Sequence, residues 1–146
     1  DERVVSVGAS ENWDEDGSLH GYIKEIGPMG VDWEHRYDRA LSWCPERNRG
    51  QSIATEETFI DLARLADGSL LIVGRETGNH LDNNYSWSEQ PIVIHASAEG
   101  EVLATDRGFW RGEAVAAAAD DDGSAYVLMY AYDGSDQQLH VRKYAP

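Results

Sequence analysis

The sequence predicts an all-β fold of about ten short antiparallel strands in three meander sheets, and three observations carry that expectation. Two Asp-Gly-Ser turns, Asp67-Gly68-Ser69 and Asp122-Gly123-Ser124, stand 55 residues apart. Each leads at once into an apolar run, Leu70-Leu71-Ile72-Val73 in one case and Ala125-Tyr126-Val127-Leu128-Met129 in the other. Asp-Gly between apolar runs is a strong hairpin signal, because few residues accept positive φ cheaply. Third, 57–107 reads as one whole four-strand unit, flanked by two three-strand units that repeat parts of it.

The first unit covers about 3–39. It holds the runs Val4–Gly8 and Gly21–Ile26, then a Pro28-Met29-Gly30 turn and Val31-Asp32-Trp33-Glu34-His35. Residues 40–56, with Trp43-Cys44-Pro45, read as an irregular link. In the whole unit, Thr58–Leu65 runs into the first Asp-Gly-Ser turn and Leu70–Gly74 follows it. Pro91–Ala96 is the third strand, and the Ala98-Glu99-Gly100 turn delivers Glu101–Thr105 as the fourth. The last unit, about 112–145, holds Glu113–Ala119, Ala125–Tyr130 and Leu139–Tyr144. Residues 57–66 and 113–119 also fit a helical face, and alanine favours helix. They are read as strands because each ends in the same turn before a clear strand. A single domain over 1–146 is expected at this length.

The rhythm of strand, Asp-Gly-Ser, strand, and later Gly-Val-x-Trp is carried by Ala66–Gly74 and Gly30-Val31-Asp32-Trp33. It resembles the blades of β-propeller families. The resemblance implies propeller-blade-like meander sheets. Ten strands supply about two and a half blades, where a closed ring needs about four or more. An open, incomplete propeller arc is therefore expected, or assembly with another copy.

Twelve Lys and Arg stand against 27 Asp and Glu, a formal net charge of −15. Nucleic acid and anionic lipid surfaces attract cationic patches, so neither is an expected partner. The acidity suits a basic partner, met faster at low salt, or solubility alone. No run approaches the roughly 18 apolar residues of a spanning helix, so no membrane contact is expected. The lone Cys44 excludes an internal disulfide and a cysteine-based zinc cluster. Asp1 falls just before the first strand, which suits a mature chain after signal-peptide removal, and a periplasmic address is expected.

Catalytic motifs do not emerge. The five histidines, at 20, 35, 80, 95 and 140, match no metal spacing. Asp14-x-Asp16-Gly17 begins like a calcium loop but lacks the later ligands. Cys44 with His35 could form a thiol nucleophile, yet Trp43-Cys44-Pro45 lacks the helix N-terminus that usually activates one. No catalytic residue, metal or cofactor is expected. The segment 77–90 is different: longer than its counterparts, it carries Tyr85 and Trp87 among small hydrogen-bonding residues, the chemistry of recognition loops.

That loop, with Asn83, Asn84, Tyr85, Ser86, Trp87, Ser88 and Glu89, sits on a small, acidic, turn-tight all-β chain. The combination resembles periplasmic immunity proteins, and more narrowly the partner of type VI-secreted peptidoglycan amidases of the NlpC/P60-like cysteine peptidase class. The resemblance implies a non-enzymatic inhibitor whose seven loop residues bind a basic effector enzyme. Ser86 or Ser88 would engage a thiolate and an imidazole in its cleft. Two alternatives stay open. Trp13, Trp87 or Trp110 could stack on sugar rings in a carbohydrate-binding module, or the chain could be a subunit of a larger propeller assembly.

Overall fold

The computed structural model of the chain describes residues 3–11, 19–37, 53–80, 89–108, 111–133 and 136–144. They form ten strands: β1 (Val4–Glu11), β2 (Leu19–Gly27), β3 (Gly30–Tyr37), β4 (Ile53–Arg64), β5 (Leu70–His80), β6 (Gln90–Ala96), β7 (Val102–Arg107), β8 (Arg111–Ala119), β9 (Ala125–Asp133) and β10 (Asp136–Tyr144). Three antiparallel sheets result, ordered β1-β2-β3, β4-β5-β6-β7 and β10-β9-β8. The all-β, three-sheet, open blade-like architecture is the one the turns predict, and no helix occurs among the described residues.

The central sheet is buried on both faces, which explains why its middle strands are apolar without alternation. Leu70, Ile72, Ile92 and Ile94 face the first sheet, where they pack with Ile23 and Phe59. Their neighbours Leu71, Val73 and Val93 face the last sheet and meet Ala114, Val127 and Met129. Successive strand residues point to opposite faces, so a doubly covered strand must be apolar at every position. The segments with helical leanings, 57–66 and 113–119, are strand through Arg64 of β4 and throughout in β8. There they line the neighbouring sheets: Phe59 and Ala114 are fully inside the two cores. Tertiary burial outweighs an intrinsic preference worth only tenths of a kcal/mol per residue, about 0.7 at most for ordinary side chains.

The repeat extends to its irregularities. In β4, Phe59 opposes Gly74 and Asp61 opposes Val73, so Ile60 is bulged out. In β8, Ala114 opposes Met129 and Ala116 opposes Leu128, so Val115 is bulged at the equivalent position. The fourth strands share a second bulge, Asp32 in β3 and Leu103 in β7. A bulge re-aims the side chains beyond it. Past the first one, the Asp61 carboxylate accepts a hydrogen bond from the Ala117 backbone N–H at 3.0 Å, tying the central sheet to the last.

Two glycines make these contacts possible. A Cβ on Gly74 would sit 2.0 Å from the Thr58 carbonyl oxygen, beside the bulge. Gly100, at φ +83°, lies under Trp33, and a Cβ there would be 2.5 Å from the indole. Trp33 of the first sheet thus rests on a turn of the central sheet. Two boundaries differ most from the sequence expectation. β4 begins at Ile53, inside the expected link, and β5 continues to His80 instead of ending at Gly74.

Gly74→Ala is expected to cost about 3 kcal/mol, because backbone faces the new methyl and neither strand can yield alone. Ile72→Val, an ordinary core truncation in the same strand, should cost about 1 kcal/mol. Urea denaturation of both variants checks the order.

Candidate functional site

The extended halves of β4 and β5 form a two-stranded ribbon. Their pairing runs on through Glu56 with Thr77, Thr55 with Gly78 and Ile53 with His80. The pairing of β5 with β6 stops at Glu76 with Gln90. The segment expected as a loop from Thr77 therefore starts as strand, and the ribbon carries the chain away from the sheet. Asn83, Asn84, Tyr85, Ser86, Trp87 and Ser88 lie outside the described residues, as do Trp13, Asp14, Asp16, Cys44 and Trp110.

Ionic groups converge where the ribbon leaves the sheet. Glu57 and Glu76 are direct cross-strand partners, and both are buried. Side by side, two buried carboxyl groups lose their hydration, so cationic or hydrogen-bonding groups must stand nearby. Arg107 of β7 supplies one: its Nε donates to Glu76 Oε2 at 2.7 Å and its Nη2 donates to the Tyr37 hydroxyl at 2.8 Å. Burial works against the charged guanidinium, but the hydrogen bond and charge of Glu76 raise its affinity for the proton above the ordinary value. His20 of β2 is the other neighbour, its Nδ1 3.7 Å from Glu57 Oε2. First and central sheets are thereby joined by polar contacts as well as by packing.

Glu89 is the one expected partner-binding residue that is described, and it has a structural tie. Its carboxylate takes a hydrogen bond from Arg75 Nη1 at 2.9 Å, and its carbonyl accepts from Gly112 N at 2.7 Å. Arg75 also lies 3.9 Å from Glu113. The far root of the insertion is thus fastened to β5 and β8. Sequence reasoning missed Glu57, Glu76, Arg107, His20 and Tyr37, since each is an isolated polar residue in its own strand.

A recess of ≈ 520 Å³ opens between the central and last sheets. Leu71, Val93 and Ala104 form apolar wall, and Asp67, His95 and Tyr144 are among its polar lining. Asp67, Ser69 and His95 are in contact there, yet not as a nucleophilic triad. The Ser69 hydroxyl donates to Asp67 Oδ1 at 2.6 Å, so His95 Nε2, 3.0 Å away, donates to the serine instead of drawing off its proton. The Ser69 side-chain and backbone bonds hold Asp67 below its ordinary 3.8, and Ser124 does the same for Asp122, backbone bond first. Burial and then the Asp106 carboxylate push the Tyr144 phenol up to about 12. His35 lies beside Trp33 with ring centres 5.6 Å apart and the rings tilted by 43°. Among the described residues, no three His, Cys, Asp or Glu side chains are grouped to hold a metal ion.

No protein-family model and no curated protein matches the chain.

Removing Arg107 strands a buried carboxylate pair beside less cationic charge, so Arg107→Leu is expected to cost about 3–5 kcal/mol. Adding Glu76→Leu should restore part of that loss, a non-additivity that a double-mutant cycle of urea midpoints reads directly. The two turn aspartates give an acid limb. Their folded-state pKa values lie below the unfolded 3.8, so their contribution is complete above that pH and disappears as pH falls through the folded values. Asp67→Asn with Asp122→Asn should flatten the stability–pH curve below about pH 4 and leave its shape near neutrality unchanged.

Proposed function

We propose that this chain is a partner-binding inhibitor that uses its β4–β5 ribbon to present the 81–88 segment to a basic enzyme. The observation that carries the reading is the footing of that segment. Its two ends leave the doubly buried central sheet through a paired ribbon and through Glu89, which Arg75 and Gly112 hold. Rigid support lowers the ordering cost of binding, which is how a short segment reaches useful affinity. The net charge of −15 suits attraction of a basic partner.

In its narrower form, the inhibitor is a periplasmic immunity protein. Its target is a type VI-delivered peptidoglycan amidase of the NlpC/P60-like cysteine peptidase class. Tyr85 and Trp87 fill the cleft, while Asn83, Asn84, Ser86 and Ser88 satisfy its polar groups. Neutral hydrogen bonds of that kind contribute about 0.5–1.5 kcal/mol each, and a central aromatic anchor about 2 or more.

The test is calorimetric titration against an amidase of that class, with peptidoglycan hydrolysis followed in parallel. Wild type is expected to bind and inhibit. Trp87→Ala and Tyr85→Ala should weaken binding by about 30-fold, with the thermal midpoint unchanged. Ser86→Ala and Ser88→Ala should each weaken it less. Full inhibition by a chain whose 81–88 segment is replaced by a Gly-Ser linker would move the recognition surface elsewhere.

A further inference from the structure

The outward face of the last sheet repeats a face that the central sheet buries. Aligning the two Asp-Gly-Ser turns sets Ala125 and Val127 on Leu70 and Ile72, and Tyr126 and Leu128 on Leu71 and Val73. Leu70 and Ile72 pack back toward the preceding sheet, and so do Ala125 and Val127. Leu71 and Val73 pack onward against the following sheet. Tyr126 and Leu128 hold those same onward positions. Beside them in β10, Leu139 and Val141 are registered with Tyr130 and Leu128, and are 58% and 67% exposed.

The first sheet presents the complementary, backward-facing surface. Val4, Ile26 and Val31 are partners in one row across its three strands, and are 60%, 38% and 56% exposed. Tyr22 lies across Gly8 on that face. Each outer face also has a lysine over a tyrosine ring: Lys24 is 4.8 Å from the centre of Tyr22 and Lys143 is 5.5 Å from that of Tyr126. The central sheet needs no such cover, because its neighbours supply the apolar contact.

We propose that a second copy of this chain completes the stack, with the outward face of the last sheet of each copy seated on the outward face of the first sheet of the other. The contact continues the two interfaces already present within the chain, where a backward-facing surface always meets an onward-facing one. Such a contact joins unlike surfaces, so it propagates until the rotation closes a ring. Two copies contribute three sheets each, and six lies within the roughly four to eight blades of closed propellers. One tie is missing from the contact between copies. Ala116 occupies the place of Asp61, so no carboxylate reaches across to a backbone N–H as Asp61 does to Ala117. The association therefore rests on side-chain packing and follows concentration. It does not depend on the partner reading above.

Sedimentation equilibrium of the full chain over a concentration series tests the proposal. The mass is expected to rise from 16.2 kDa toward twice that value. Leu139→Lys with Val141→Lys should hold the mass at one chain, and so should Val4→Lys with Val31→Lys. Mixing the two double variants leaves one intact pair of surfaces, and a mixed dimer should return. A wild type that stays at 16.2 kDa up to its solubility limit overturns the proposal, whatever the variants do. Loss of association from only one of the two faces overturns it as well, because that outcome means like faces meet. Circular dichroism of each variant confirms that the sheets persist.

Discussion

Burial of β5 and β6 on both faces is the constraint on which the rest of this molecule depends. A strand covered on one side can alternate, and its polar half stays in water. Here Leu70, Leu71, Ile72 and Val73 are all enclosed, as are Ile92, Val93 and Ile94. Each large aliphatic side chain so enclosed contributes about 1.5–3 kcal/mol, against a backbone ordering cost of about 1–2 kcal/mol per residue. Only a strand that gains on both faces clears that cost by a wide margin. Among the described residues the first and last sheets each have one face packed on the central sheet, and they take their stability from leaning on it.

Close approach of three sheets then dictates the local chemistry. Bulges at Ile60 and Val115 turn the inner strands, and the turn in β4 brings Asp61 within reach of the next sheet. Gly74 is required because a neighbouring backbone occupies the space of a side chain. Gly100 is required because Trp33 does. These are consequences of stacking, and they recur where the stacking recurs.

The buried charges at the foot of the ribbon belong to the same economy of space. Glu57 and Glu76 face the first sheet at the end of the apolar core, where β2, β3 and β7 can deliver His20, Tyr37 and Arg107. A buried pair of this kind adds little net stability over an apolar replacement, since desolvation offsets much of the attraction. What it contributes is position: Arg107 holds Glu76, at the root of the ribbon, and Tyr37 of the first sheet together.

By itself the sequence determined the elements. Asp-Gly-Ser turns at a fixed spacing and apolar runs after them are local signals, and they sufficed for ten strands in three sheets. They also sufficed to override the helical leaning of 113–119, because a turn constrains both of its flanks. The candidate site was much less legible. A hairpin counted back from Arg64 opposite Leu70 without a bulge sets Glu57 against Thr77. The bulge at Ile60 shifts it onto Glu76 and creates the carboxylate pair. His20, Tyr37 and Arg107 come from three further strands, distant in the chain, and no local pattern announces their meeting. Tertiary structure alone decided that charge cluster and the length of the ribbon, because both depend on register and on the distance between sheets. Those quantities are set by the packing of side chains across a gap that no single strand encodes.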